Sequence, residues 1–313
     1  MVKDINFVMS TGHRGWAIDA LTTLLLKKLP DFQSRKIEIP QSRRHVRSPR
    51  GIFYLPRANV HFFMQQDLLV HCLDRKLVSK EDQIIVRYTH NNRSMSLYRD
   101  AFEIAKFITV ENSRLKEEMI KLGVERDKIS FLPHPIKWES FNNVRSKGKS
   151  RDVIFVSNFY ARKRPDIVSE LVFANPSLLF TVLGKKWDLF PRFDDLIKLP
   201  NFEYQVFDYK QYPRVLAEHK VFCSVSDVEG GPVPLLESLT AGLVPVVTDT
   251  GYARDVIPSE LIKYIVPISP RIDVLSRKIH LALTEEEQSV DTRQFGEEKF
   301  LLYITDLVRS CIE

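Results

Sequence analysis

The apolar positions of the chain alternate between two patterns. Short runs of contiguous β-branched or aromatic residues give way to longer stretches in which apolar residues recur every third or fourth position. The first pattern fits strands covered on both faces, and the second fits helices that bury one stripe. In the first half this predicts strands at Ile5–Met9, Ile37–Ile39, Val60–Met64, Ile84–Tyr88, Phe107–Val110 and Ile129–Leu132. It also predicts helices at Ala17–Leu29 and Ser113–Leu122, the second striped by Leu115, Met119 and Leu122 and stopped by Gly123. Residues Trp138–Arg151 then turn polar, through Asn142-Asn143 and Ser146-Lys147-Gly148-Lys149-Ser150, and read as a linker.

The pattern restarts at once. Val153–Val156, Leu179–Leu183, Phe202–Val206, Val221–Val225 and Val244–Thr248 read as strands, and Ile167–Phe173, Tyr212–His219, Pro234–Thr240, Ile272–Leu283 and Gly296–Ile312 as helices. Such alternation predicts βαβ units with parallel sheets. Two α/β halves joined by a short linker leave a cleft between them, where ligands of open α/β sheets bind.

Length agrees, since 313 residues exceed one typical domain and suit two. A composition of 44% hydrophobic and 27% charged residues is that of a globular protein, which excludes the disordered and fibrous classes. Apolar runs such as Leu24–Leu26 fall far short of the ~20 residues of a membrane span. Ile5–Met9 is interrupted by Asn6 and followed by no small-residue cleavage site, so it reads as a strand and not a signal peptide. Cys72, Cys223 and Cys311 are scattered and form no C-x-x-C pair, which argues against a disulfide framework or structural zinc and for a reducing cytoplasm.

Charge separates the halves. Residues 1–150 hold 27 basic and 16 acidic side chains, a formal +11, and the rest hold 19 and 24, a formal −5. The densest basic cluster runs from Arg35 to Arg57 and includes Arg43, Arg44, Arg47 and Arg50. Two readings stay open: a solvated loop, or a surface for anionic lipid, a phosphate-bearing acceptor or nucleic acid.

The stretch from Asp227 to Asp249 carries the most chemistry. It reads as a strand end, a turn, a helix starting near Pro232–Pro234, a stop at Gly242 and a second buried strand. Gly230-Gly231 lets a ligand approach the backbone at the positive end of that helix, an arrangement suited to a diphosphate. Glu229 lies just before the helix and Glu237 within it. Carboxylates beside a phosphate site suit hydroxyl groups, such as those of a sugar and a ribose.

This stretch resembles the E-x7-E motif of the retaining GT-B glycosyltransferases, in particular glycosyltransferase family 4. The likeness extends from about Phe107 to Ile257. The segment from Lys106 to Ile136 resembles the end of the family's acceptor domain. Asp152-Val-Ile-Phe-Val-Ser-Asn-Phe-Tyr-Ala-Arg-Lys-Arg-Pro-Asp resembles the "V-G-R-L-x-x-x-K-G-x-D" opening of its donor domain. The resemblance implies an α/β fold of GT-B architecture, two Rossmann-like domains facing across a cleft. Residues 1–145 form an acceptor-binding domain, residues 151–290 a nucleotide-sugar-binding domain, and residues 291–313 a C-terminal helix that crosses back to the first.

The resemblance also assigns roles. Lys163 matches the lysine on the donor diphosphate, with Arg162 beside it. Glu229 matches the glutamate on the transferred sugar and Glu237 the one on the ribose, while Gly230 and Gly231 offer amides. Ser157-Asn158 stands where the family has Gly-Arg, so Asn158 takes the place of a phosphate-binding arginine whose charge Arg162 or Arg164 is left to replace. Ser10-Thr-Gly-His-Arg-Gly-Trp resembles the glycine-rich loop that reaches the donor phosphates, through Gly12, Arg14 and Gly15. His90 matches a histidine near the reacting sugar.

The implied reaction is transfer with retention, from a nucleotide-sugar to a hydroxyl of a glycan, glycolipid or lipid-linked acceptor, in cell-surface polysaccharide biosynthesis. Neither cofactor nor metal is implied. Asp227-Val-Glu229 only mimics a D-x-D metal motif, because it abuts a helix N-terminus that already neutralises diphosphate. The expected location is the cytoplasm, with peripheral contact at an anionic membrane through Arg35–Arg57. The alternatives are a DNA-base glucosyltransferase, a nucleotide-sugar epimerase of the same fold, and a degenerate binding subunit.

Overall fold

The computed structural model describes residues 3–29, 32–40, 54–89, 94–145, 148–206, 209–286 and 290–313. The chain divides into two compact units, Met1–Pro135 with Glu298–Glu313, and Ile136–Glu297.

In unit 1 the order is β1 (Lys3–Ser10), α1 (Ala17–Lys28), β2 (Phe32–Ile39), β3 (Val60–Phe63), α2 (Gln66–Asp74), β4 (Ile84–Tyr88), α3 (Arg99–Ile104), β5 (Phe107–Val110), α4 (Ser113–Lys121) and β6 (Ile129–Phe131). The strands form a parallel sheet of order β2-β1-β3-β4-β5-β6. Alternate residues supply its two covered faces. Val8, Phe63, Val86 and Ile108 join one buried cluster, and Ile5, Phe7, Phe62 and Ile85 join the other. The second face is completed by the C-terminal helix, Glu297–Ile312, whose Phe300, Ile304, Leu307, Val308 and Cys311 fall on one stripe. Lys106 Nζ donates to the Cys311 carbonyl at 3.2 Å, satisfying an orphan acceptor at the end of that helix.

Unit 2 runs α5 (Trp138–Asn142), β7 (Arg151–Val156), α6 (Pro165–Ala174), β8 (Phe180–Leu183), α7 (Phe193–Leu196), β9 (Phe202–Gln205), α8 (Tyr212–Ala217), β10 (His219–Ser224), α9 (Val233–Thr240), β11 (Val244–Thr248), α10 (Ala253–Val256), β12 (Ile265–Val266) and α11 (Ile272–Leu283). Its parallel sheet has the order β12-β11-β10-β7-β8-β9. Strands before and after the β7/β10 pair lead away in opposite directions, so this pair is the topological switch point. In unit 1 the switch point lies between β1 and β3.

Several sequence expectations are corrected. Residues 138–151 are no linker: α5 buries Phe141 edge-on against Tyr212, with ring centroids 5.5 Å apart, and β7 begins at Arg151. The division between units falls after Pro135, not at 145. His219 opens β10 and does not close the preceding helix: its backbone pairs with Arg151 of β7, and its ring bonds the Val215 carbonyl and Thr181 Oγ1, both at 2.8 Å. Strand β2 begins at Phe32, five residues earlier than its apolar end suggests. It is an edge strand, and its charges find partners beside it: Arg35 with Asp4, at 2.5 Å, and Lys36 with Asp19, at 2.7 Å. Among the described residues no helix is long and apolar enough to cross a membrane.

Candidate functional site

In open parallel sheets, ligands bind beyond the carboxyl ends of the strands at the switch point. In unit 2 those ends lead into the segments after β7 and β10. The first carries Arg162, Lys163 and Arg164, and the second carries Asp227, Glu229, Gly230 and Gly231. The two segments are tied by the Asp227 N–H, which donates to the Arg162 carbonyl at 2.9 Å. Helix α9 starts there, with Pro232 as its extended N-cap, Pro234 in its first turn, and neither a capping side chain nor an acidic residue. The Leu235 amide is taken by the Pro232 carbonyl at 2.8 Å and Pro234 has no N–H, and no acidic residue of the first turn offsets the positive end of the helix dipole.

Lys163 Nζ donates to Glu229 Oε1, and Arg162 Nη1 lies 3.0 Å from Glu229 Oε2. The Glu229 side chain is only 6% exposed. Burial pushes its carboxyl up, but Lys163 and Arg162 outweigh burial and hold it below its usual value. Arg164 takes a left-handed backbone, φ +53°, and its guanidinium spans Asp166, Asp227 and Ser269 Oγ. Arg164 is therefore engaged, and Arg162 and Lys163 are the cations beside Glu229. Asp227 and Glu229, the pair that mimics a metal motif, are each bound to cations, and no metal-holding group of His, Cys, Asp and Glu occurs among the described residues.

Two glycines shape these turns. At Gly184 a Cβ would lie 1.9 Å from the Ser157 carbonyl oxygen, so the ends of β7 and β8 meet only because residue 184 has no side chain. Trp187 Nε1 donates to that same oxygen at 2.8 Å. Asn158 Oδ1 accepts from the Lys185 amide at 2.8 Å, so its oxygen joins two strand-end turns. Gly251 has φ +55°, and a Cβ there would meet the Gly230 carbonyl at 2.9 Å. The turn after β11 thus supports the Glu229–Pro232 segment from behind. Gly230 and Gly231 are not among the glycines of positive φ, so their backbone needs no special conformation.

Glu237 lies one turn into α9 and is 3% exposed. Tyr212 Oη donates to its Oε2 at 2.7 Å. Burial pushes the Glu237 carboxyl up to about 7, with the Tyr212 bond pulling the other way. Nothing in the sequence links Tyr212 to Glu237, 25 positions apart; helix packing alone brings them together.

In unit 1, Gly12 and Gly15 lie in the turn after β1, at that sheet's switch point. The Gly12 amide donates to Ser10 Oγ at 3.2 Å, and Gly15, at φ +74°, donates to Asp19 Oδ2 at 2.8 Å. Arg14 is not a free cation, since its guanidinium pairs with Glu38, which Lys36 also contacts at 3.0 Å. These cations hold the Glu38 carboxyl down at about 2. Within the basic cluster, Arg35 and Lys36 are paired and Arg57 is exposed. His90, Arg43, Arg44, Arg47 and Arg50 lie outside the described residues.

Residues 136–299 match the family model described as glycosyl transferases group 1. That span coincides with unit 2 almost residue for residue. Among solved structures, a glycosyltransferase from Rickettsia africae is similar at TM-score 0.76 and 11% identity, over 99% of each chain. Anabaena HepE in complex with UDP and glucose is similar at TM-score 0.74 and 11% identity, over 98% of this chain and 100% of that one. The apo lipopolysaccharide outer core galactosyltransferase WaaB is similar at TM-score 0.72 and 12% identity, over 98% of this chain and 99% of that one. At these identities the likeness concerns the fold. No curated protein matches the chain by sequence.

Proposed function

Because the chain belongs to the glycosyl transferases group 1, with the two-unit α/β architecture of GT-B enzymes, we propose that it transfers a sugar, with retention, from a nucleoside-diphosphate sugar to an acceptor hydroxyl. The observation that carries this reading is the Lys163–Glu229–Arg162 cluster at the unit 2 switch point, on the segment that leads into α9, whose N-cap Pro232 makes no side-chain cap bond. In one place it offers cations and amides for a diphosphate and a carboxylate for sugar hydroxyls. HepE, solved with UDP-glucose on the same fold, supports a nucleotide-sugar as donor.

In the reaction the bond from the anomeric carbon to the diphosphate oxygen breaks, and its electron pair leaves with the diphosphate. Lys163 and the α9 amides stabilise that charge, a preorganised electrostatic role. The acceptor oxygen attacks from the face the leaving group vacates, and its proton passes to the departing phosphate oxygen. No side-chain nucleophile is needed. Glu229 accepts from hydroxyls of the transferred sugar, and Glu237 from the ribose. Lys163 and Glu229 pair with one another, so engaging a diphosphate and a sugar exchanges one partner of each. Charge is conserved in the exchange: the lysine turns to phosphate as the carboxylate turns to hydroxyls.

The acceptor side is assigned to unit 1, with a glycan, glycolipid or lipid-linked saccharide as acceptor, its basic segment reaching an anionic surface from the cytoplasmic side. Thermal shifts with UDP-, GDP-, ADP- and CMP-sugars test the donor, because a ligand that binds only the folded state stabilises it. One donor class raises the melting temperature, and proton NMR of the product shows the donor's anomeric configuration kept. No stabilisation by any nucleotide-sugar, or an inverted product, contradicts the reading.

A further inference from the structure

A desolvated carboxylate needs partners. Among the described residues, one side chain hydrogen bonds Glu237: Tyr212, through Oε2. Among the described residues Oε1 has no hydrogen-bond partner, and it is not one of the unpartnered side-chain atoms sealed from solvent. The two oxygens of one buried group thus differ, one held by the protein and one left at the solvent boundary.

Tyr212 is itself fixed. It is the first residue of α8 and 1% exposed. Its ring stands edge-on to Phe141 from α5 and lies 6.2 Å from the Tyr209 ring. Helices α5, α8 and α9 pack together around it. The ring cannot swing without losing the Phe141 contact, so its hydroxyl is a fixed point.

We propose that Tyr212 is a positioning residue of the donor site: it holds Glu237 Oε2 so that Oε1 is presented to the ribose diol of a nucleoside-diphosphate sugar. This rests on the reading of unit 2 as the nucleotide-sugar site. A diol donates hydrogen bonds, so it needs the carboxylate form of Glu237; a protonated Glu237 offers a donor where an acceptor is wanted.

The surroundings favour the protonated form near neutrality, with burial setting the Glu237 carboxyl at about 7. The segment before α8 and α8 itself bring Tyr209 and Tyr212, both raised by burial and then by the Glu237 charge. Helix α5 brings Glu139, and Lys137 just ahead of it lies 5.1 Å from the centre of the Tyr209 ring. Glu297 acts on Tyr209. Strand β11 brings no titratable group. No cation pairs with Glu237 among the described residues, so the Tyr212 hydroxyl is the group that favours its ionised form. Donor affinity therefore rises as pH passes through about 7, and losing the hydroxyl moves that midpoint upward.

The test is calorimetric titration of full-length wild type, Tyr212→Phe and Glu237→Gln with UDP, GDP and ADP between pH 5.5 and 9. The 2′,3′-dideoxy form of whichever binds serves as control. Tyr212→Phe keeps the ring and should weaken the ribonucleotide about tenfold at pH 7, the scale of one hydrogen bond to a charged group. Its midpoint moves up, its deficit shrinks at pH 9, and its dideoxy affinity equals that of wild type. Glu237→Gln binds weakly with no midpoint near 7. Replacing Tyr212 by 3-fluorotyrosine, an isostere whose hydroxyl is the stronger donor, moves the midpoint down; this arm stands even if Tyr212→Phe does not fold. If wild type binds no nucleoside diphosphate, the reading of unit 2 falls and this role with it. If wild type binds but the Tyr212 variants keep its affinity and midpoint, or lose ribo- and dideoxy-nucleotide equally, the positioning role is overturned while the donor site stands.

Discussion

Replacing Glu237 by glutamine should stabilise the protein at and above neutral pH while weakening donor binding. The carboxyl rises from an ordinary 4.5 to about 7 in the folded state. The folded protein thus holds this proton more tightly than the unfolded chain. The stability it contributes is complete below about 4.5, is lost as pH climbs to about 7, and stays lost above. At about 1.4 kcal/mol per pH unit, the loss reaches on the order of 3 kcal/mol. Glutamine has nearly the same shape, still accepts from Tyr212 and does not titrate. Its advantage over wild type should grow from near zero at pH 4.5 to about 3 kcal/mol at pH 8, or roughly 6–12 °C in Tm for a unit of this size. Urea melts followed by circular dichroism at pH 4.5, 6, 7 and 8 measure it. A gap that stays constant with pH would show that Glu237 is not held protonated by burial, and the pKa argument would be wrong.

The remaining predictions concern the turns, the metal question and the basic segment. Gly184→Ala drives a Cβ into the Ser157 carbonyl, a backbone atom, and should cost about 1–3 kcal/mol or more; a melt within 1 °C of wild type refutes the close approach. Transfer should persist in excess EDTA, because Lys163 and the α9 amides balance the diphosphate; loss restored only by manganese contradicts this. Co-sedimentation with liposomes should rise with anionic lipid, fall with salt, and weaken when Arg43, Arg44 and Arg47 become serine; indifference to lipid charge leaves the segment a solvated loop.

The sequence made the sheets legible because both are buried on two faces, so strands such as Ile84–Tyr88, Phe107–Val110 and Val244–Thr248 read as apolar runs with correct ends. It failed where burial is partial or non-local. Phe32–Lys36 looks polar because an edge strand meets its charged neighbours sideways. Trp138–Asn142 looks like a linker because its one deeply buried residue, Phe141, packs against Tyr212, far along the chain. In the site, the motif spacing locates Lys163 in the turn after β7, Glu229 just before α9 and Glu237 within it. The Lys163–Glu229 pair and the engagement of Arg164 by Asp227 depend on which loops meet at the switch point, and the Tyr212 bond to Glu237 depends on the packing of α8 on α9, so no local pattern reports them. The resemblance points Arg14 at a phosphate; its pairing with Glu38 comes from the parallel β1–β2 register, which no local pattern reports.

The central claim is that unit 2 binds a nucleotide-sugar and uses Lys163 to stabilise the departing diphosphate. The most direct measurement is the rate of nucleoside diphosphate release from the stabilising nucleotide-sugar, with and without acceptor, for wild type and Lys163→Ala. Wild type should release it in an acceptor-dependent way, and the variant should be slower by about 10²–10³-fold, the usual loss of one preorganised electrostatic contact, with its fold intact. Equal rates in the two proteins, or no release from any nucleotide-sugar by wild type, would contradict the account.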